Sequence, residues 1–251
     1  MLFGIDLNKI FSFPLKDAES RKYFLIGCGV VLAGFIIPIL PHLVMLGYAA
    51  RIAKQIFNDE TPHMISWEDW AEMLKDGARM LGVRMVYSLP ILILAIPLML
   101  AGIAMSIVMT NVNSADADLI SAIFSLVMLA VICMIIPISL PLAAIIPAAE
   151  MHTVKNTEFA AGFRFGEWWS IFRANLSGFI AAFAIHYVAS MVLTIGIQII
   201  MSTIILSCLL PIVLPGVTLY LVLIRYTIIA EAYKVGKEKL LQAANVPLIA
   251  Q

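Results

Sequence analysis

The sequence predicts an all-α, polytopic integral membrane helical bundle, and three observations predict it. Of the 251 residues, 62% are hydrophobic and 13% charged, whereas soluble domains lie near half apolar and a quarter charged. No Asp, Glu, Lys or Arg interrupts Tyr23–Ala50, Met85–Ala115, Leu119–Ala149 or Ala174–Ile224. A helix rising about 1.5 Å per residue crosses a hydrocarbon core of about 30 Å in roughly 20 residues, so each run is long enough to cross. None of them alternates as a barrel strand would, which leaves helices to satisfy the backbone in lipid. The balance of 16 basic and 16 acidic residues excludes a dedicated nucleic-acid binder. Cys28, Cys133 and Cys208 lie in apolar stretches, which excludes a disulfide-stapled secreted scaffold.

Five hydrophobic segments follow in order, at roughly 23–50, 85–110, 119–149, 175–206 and 209–232. The last two divide one run of 51 residues at Cys208–Pro215, where Pro211, Pro215 and Gly216 interrupt it. Ahead of the first segment, Leu2–Phe13 mixes bulky apolar residues with Asp6, Asn8 and Lys9, a pattern for a short helix lying on the membrane surface. The first apolar run is longer than the core of a signal peptide and has no small-residue cleavage site after it.

Lysine and arginine report orientation. They fall in 1–22, 51–84, 150–173 and 225–251, and none falls in Asn111–Asp118 or the turn near Cys208–Pro215. The C-terminus and loops 51–84 and 150–173 are therefore expected in the cytoplasm of a cell-membrane protein, with loop 111–118 outside. The four positive charges of 1–22 join them only if the first segment dips in and returns. Pro38 and Pro41 near its centre each remove a helical hydrogen bond, so two half-helices meeting there would serve. Against this, Pro137, Pro141 and Pro147 stud the third segment, which must cross. Both a re-entrant and a crossing first segment stay open.

The chain reads as a single membrane domain, 1–251, built from two loosely repeated blocks, about 23–110 and 119–206, plus a last segment at 209–232. Each block runs from a proline-bearing segment through a tryptophan linker to a span. Ala149-Glu150-Met151-His152 is echoed by Ala230-Glu231-Ala232-Tyr233. All four tryptophans, Trp67, Trp70, Trp168 and Trp169, lie in the two linkers, as expected of anchors at the membrane–water boundary. Ser66 is placed to cap an amphipathic helix there, with Trp67, Trp70, Leu74, Ala78 and Leu81 on the apolar face and Glu68, Asp69, Glu72, Lys75, Asp76 and Arg79 opposite. Two such interfacial helices are expected, serving either as anchors or as a platform for a cytoplasmic partner.

These residues carry a resemblance. Phe13-Pro14 with Asp17, Gly47-Tyr48 with Arg51, the cluster Trp67-Glu68-Asp69-Trp70, then Asp76-Gly77, Tyr87 and Pro90 resemble a prokaryotic membrane-protein family, the domain of unknown function numbered four thousand and thirteen, over about residues 11–97. Met64-Ile65-Ser66 stands where that family tends to place a proline. The resemblance implies the fold class and no activity, ligand or catalytic residue.

Motifs for nucleotide, metal or nucleophilic chemistry are absent. His42, His63, His152 and His186 lie far apart, with no pair at metal-ligand spacing, and neither cofactor nor metal is implied. On the fourth segment every fourth residue reads Gly178, Ala182, His186, Ser190, Thr194, Gln198, Ser202. This polar stripe is either a helix contact, where each hydrogen bond contributes about 0.6–2 kcal/mol, or the wall of a wet path with His186 as its titratable group. It drifts by roughly 40° per step round a straight helix. Gly102, Ser106 and Thr110 form a second, shorter stripe. Arg225 lies at a depth where an unpaired charge is costly, with Glu150 and Glu231 as candidate partners, the latter six residues on and so off Arg225's face of the helix.

Two readings follow. One is a permease- or channel-like protein for a small solute, its path formed by His186–Ser202 with Arg225 near the cytoplasmic mouth. The other is a non-transporting scaffold or partner subunit that docks a cytoplasmic protein through Trp67–Arg79. An enzyme has the least support.

Overall fold

The computed structural model describes residues 7–110, 114–202 and 208–245. Among them the chain is all helix, with no strand, and divides into two compact units. Residues Met1–Val83 with Pro147–Gln251 form one unit, and Arg84–Ile146 form the other.

In the first unit, helix α1 (Leu7–Ser12) runs into a short 3₁₀ turn, Phe13–Leu15. Helix α2 (Ala18–Ala33) starts where Asp17, in an extended conformation, accepts a 2.7 Å bond from the Ser20 amide. Such a cap satisfies one of the amides that a helix start leaves without a partner. Helix α2 then tightens: Gly34, Phe35 and Ile36 bond back three residues to Val31, Leu32 and Ala33. Pro38 lacks the amide that would prolong the ladder, and helix α3 (Leu40–Phe57) begins afresh with Pro41 in its first turn. The first hydrophobic segment is thus two helices with a break at Gly34–Ile39, packed on each other.

Trp67 shows which way they run. Its Nε1 donates to the Tyr23 carbonyl at 2.8 Å, near the start of α2. Its ring stacks on Tyr48, in the middle of α3, at 4.0 Å. Starting points and returns therefore lie at one level, with Pro38 at the tip of a hairpin.

Helix α4 (Trp70–Met109) starts the next span. The expected helix start at Ser66 is corrected here: residues 61–69 are not helical, because Trp67 is drawn into the core between Tyr48 and α2. Gln55 holds this connection by bonds to the amide and carbonyl of His63. The buried face is also rotated from the expected one. Met73, Asp76, Gly77, Met80 and Val83 are buried, while Ala78 is exposed. Gly77 and Gly47 are responsible, since only a missing Cβ lets α3 and α4 touch backbone to backbone: a methyl on either would strike the carbonyl of Leu43 or Met73.

Helix α5 (Ser114–Asn156) enters this unit at Pro147. A 3₁₀ turn (Phe159–Phe163), helix α6 (Phe165–Ala174) and helix α7 (Leu176–Met201) follow. Helix α8 (Leu210–Asn245) is the hub, packed against α1, α2, α3, α6 and α7. Leu219, Leu223, Ile224, Tyr226, Ile228 and Tyr233 on it are all buried.

The second unit is the remainder of α4 and α5. Its apolar side chains, such as Ile93, Met99 and Leu126, face outward. The hydroxyls of Ser106 and Thr110 bond to carbonyls of their own helix, Gly102 and Ile107, which is how such side chains are accommodated in lipid.

Four helices, Trp70–Met109, Asp116–Asn156, Leu176–Met201 and Leu210–Ala244, are long and apolar enough to cross a membrane. The most hydropathic windows of the first two are entirely unburied within the chain, the surface expected of helices solvated by lipid. Of the loop 111–118, residues 111–113 lie outside the described residues, as do 1–6 and 203–207.

Candidate functional site

The hairpin tip is the place where non-helical backbone meets a helix of the core. Two concavities flank it, of about 160 and 130 Å³. Both are lined by Val31, Gly34 and Thr218, the last from α8. Phe35, Leu214 and Pro215 complete the first, while Pro38, Pro41, His42 and Met45 complete the second. The side chains of His42 and Thr218 are exposed within the chain. Around the break, Phe35, Ile36 and Ile39 also point outward. Apolar side chains thus surround a small polar group comprising an imidazole, a hydroxyl and a turn of backbone.

A second polar cluster is buried where α5, α6 and α8 meet. His152 Nδ1 lies 2.6 Å from the Tyr233 hydroxyl and its Nε2 lies 3.1 Å from Glu167 Oε2. Glu150 is fully buried and accepts from the Tyr226 hydroxyl at 2.7 Å. Asn175 donates to the Ala232 carbonyl and accepts from Lys239 at 2.7 Å. These groups satisfy one another and hold α8 in register with α5 and α6. A third cluster joins α3 to α4: buried Asp76 takes Lys54 at 2.6 Å and Arg79 at 2.8 Å, and Arg51 meets Asp69 at 2.9 Å.

The residues singled out in the sequence fall as follows. Gly178 and Ala182 are buried, His186 and Ser190 half-buried, and Thr194, Gln198 and Ser202 exposed. The stripe turns by about 160° over the four steps from Ala182 to Gln198, so it leaves the core partway along α7. His186 Nδ1 is buried without a partner among the described residues. The groove of about 570 Å³ beside α7 is lined from another face, by Ala184, Ile185, Val188 and Val192.

Arg225 is half-buried and joined to neither Glu150 nor Glu231 by an ion pair among the described residues. Its guanidinium lies 5.8 Å from the Tyr226 ring centroid. Glu150 took Tyr226 instead, because the hydroxyl one residue along α8 faces α5 and Arg225 does not.

Trp168 is fully buried with its Nε1 on the Gly162 carbonyl, and Trp67 is 6% exposed. Trp169 is half-buried, stacked on Phe165 and Phe172. Trp70 alone of the four is exposed, at 42%. Thr218 and Glu167 escaped sequence reasoning, and His42 and Tyr233 were named there without these surroundings. A proline pair with a histidine directly after it was the available signal for the tip.

The family described as a protein of unknown function (DUF4013) matches residues 30–206. That is well over half of the chain, and the chain belongs to this family. The match takes in the glycine–tyrosine pair of α3 and the tryptophan–acid cluster at the start of α4 and runs past the end of α7, while Phe13-Pro14 and Asp17 precede it. No curated protein and no solved structure matches the chain.

Proposed function

We propose that this member of the DUF4013 family is a multi-pass cell-membrane protein of permease- or channel-like type, and that its solute path passes the tip of the α2–α3 hairpin. One observation carries the reading: the backbone break at Gly34–Ile39 borders two concavities against α8 that hold His42 and Thr218. From Lys22 to the break is eleven residues of helix, which places the tip about 17 Å from the boundary, near the middle of a bilayer. Non-helical backbone at that depth is tolerated where protein covers it or water reaches it, and interrupted helices line the solute sites of many transporters. The positive charges of 1–22, 51–84, 150–173 and 225–251 then all share the cytoplasmic face, with loop 111–118 opposite.

The reading moves the path from the α7 stripe to the hairpin. Purified protein in liposomes should pass a small solute or ion from a panel, and Thr218→Leu, which fills both concavities, should cut that flux at least tenfold. His186→Ala should leave it near the wild-type rate. Liposomes that stay tight to the whole panel, or a Thr218→Leu flux equal to wild type, would remove the proposal.

A scaffold role has one observation in its favour. Trp70 is exposed on the first turn of α4 beside Glu68 and Glu72, an aromatic among acids that suits a basic cytoplasmic partner. Crosslinking from Trp70 in native membranes should recover the same partner repeatedly if that role holds.

A further inference from the structure

The connection after α3 folds over a concavity of about 140 Å³ at the ends of α3 and α5. Three lysines line it: Lys155 from the last turn of α5, and Lys234 and Lys237 from α8. Tyr233, Lys237 and Leu241 are spaced by four residues and so share one face of α8. Phe57 and Tyr233 form an aromatic floor, their rings 5.5 Å apart. Opposing acids are Asp59 and Glu238.

The charges are not balanced in place. Lys155 spends one proton on the Phe57 carbonyl at 3.2 Å and lies over the Phe57 ring. Lys237 has no hydrogen bond or ion pair among the described residues, and it stands close enough to Lys155 for the two to repel. Lys234 is matched by Asp59 at 2.6 Å, but that carboxylate is 81% exposed. A pair so open to water contributes about 0–1 kcal/mol and is readily exchanged. Asp59 also reaches Lys234 from a left-handed backbone, φ 64°, a conformation few non-glycine residues adopt.

We propose that this concavity binds a phosphate group, with Lys155 and Lys237 on its oxygens and Lys234 released to it from Asp59. An anionic phospholipid headgroup suits the place. The lysines stand where α8 passes from its apolar span to its charged end, and exposed Leu241 with half-buried Phe57 offers apolar surface to the rest of the molecule. Free phosphate shares the same chemistry.

The test is thermal unfolding of the detergent-purified protein titrated separately with phosphatidylglycerol, phosphatidylcholine and inorganic phosphate, since a ligand that binds only the folded state raises its stability. Phosphatidylglycerol should stabilise wild type saturably and phosphatidylcholine should not. Lys237→Ala, which breaks no bond in the fold, should raise the half-saturating concentration about fivefold, as expected for one lysine at an anionic surface. Lys237→Arg should restore it, and Lys75→Ala, on α4, should leave it unchanged. Saturable stabilisation by inorganic phosphate with nothing added by the lipid assigns the site to a free phosphate. No stabilisation by either, or identical titrations for wild type and Lys237→Ala, overturns the proposal.

Discussion

His152 and Tyr233, 81 residues apart, meet through a 2.6 Å hydrogen bond in the core. They are the last residues of the two echoing tetrapeptides, Ala149–His152 and Ala230–Tyr233. The echo thus marks two helix stretches that pack on each other, the last turns of α5 and the interior of α8, with both polar side chains turned inward. Glu150 belongs to the same contact through Tyr226.

Tyr233→Phe should expose the value of that bond. The substitution keeps the ring against Phe57 and strands His152 Nδ1, which is 5% exposed as a residue. An unsatisfied buried polar group costs about 1–3 kcal/mol. Thermal unfolding in detergent should show the loss, and Tyr187→Phe, on an exposed position of α7, should show none.

Gly47→Ala and Gly77→Ala should each damage the α3–α4 contact. Either Cβ would meet a backbone carbonyl, which cannot swing aside as a side chain can. Overpacking of this kind costs about 1–3 kcal/mol or more. Gly29→Ala, where nothing lies within reach, serves as the control in a comparison of folded yield after detergent extraction.

Asp76→Ala removes the acceptor for both Lys54 and Arg79. Hydrogen bonds to charged groups contribute about 1.5–3 kcal/mol, and the two cations, each partly exposed, can recover some of it from water. A net loss near the lower end is expected in thermal unfolding. Lys75→Ala, which breaks only an exposed pair with Glu72, should be close to neutral.

Acid should loosen the start of α2. The bonds from Ser20 hold the Asp17 carboxyl below the usual aspartate range. A folded-state value below the unfolded one means that the cap's contribution is complete above the ordinary value and is lost as pH falls through the lowered one. Hydrogen exchange at the Ser20 amide should therefore accelerate below about pH 4, beyond the intrinsic trend, and should be fast at every pH in Asp17→Ala.

What could be read in advance was set by local chemistry. Charge-free length foretold the helices, and Pro38 with Pro41 marked the break as one of two open readings, because a missing amide acts wherever it lies. Trp67 could not be placed that way. An indole suits the membrane boundary or the core, and its partner is the Tyr23 carbonyl, 44 residues upstream. The Ser66 cap failed for the same reason, since burying Trp67 outweighs starting the helix at that residue instead of at Trp70. The polar stripe on α7 was visible as composition, yet its drift round the helix decides which half is covered. Lys155 and Lys237 converge only because α8 runs past the end of α5, a fact of tertiary packing.

The hairpin itself makes the last prediction. Trp67 ties Tyr23 to Tyr48, so the first turn of α2 and the residues just after α3 must lie on one side of whatever surrounds Pro38. If lipid surrounds it, Glu19 and Glu60 share a membrane face. In a background with Cys28, Cys133 and Cys208 replaced, Glu19→Cys and Glu60→Cys should both be labelled in intact cells only by a membrane-permeant reagent, and Asp118→Cys should be labelled by an impermeant one. Impermeant labelling of Glu19→Cys with Glu60→Cys still protected would mean that the first segment crosses. The break at Gly34–Ile39 would then be a kink within a span, and the solute path drawn past its tip would lose its physical basis.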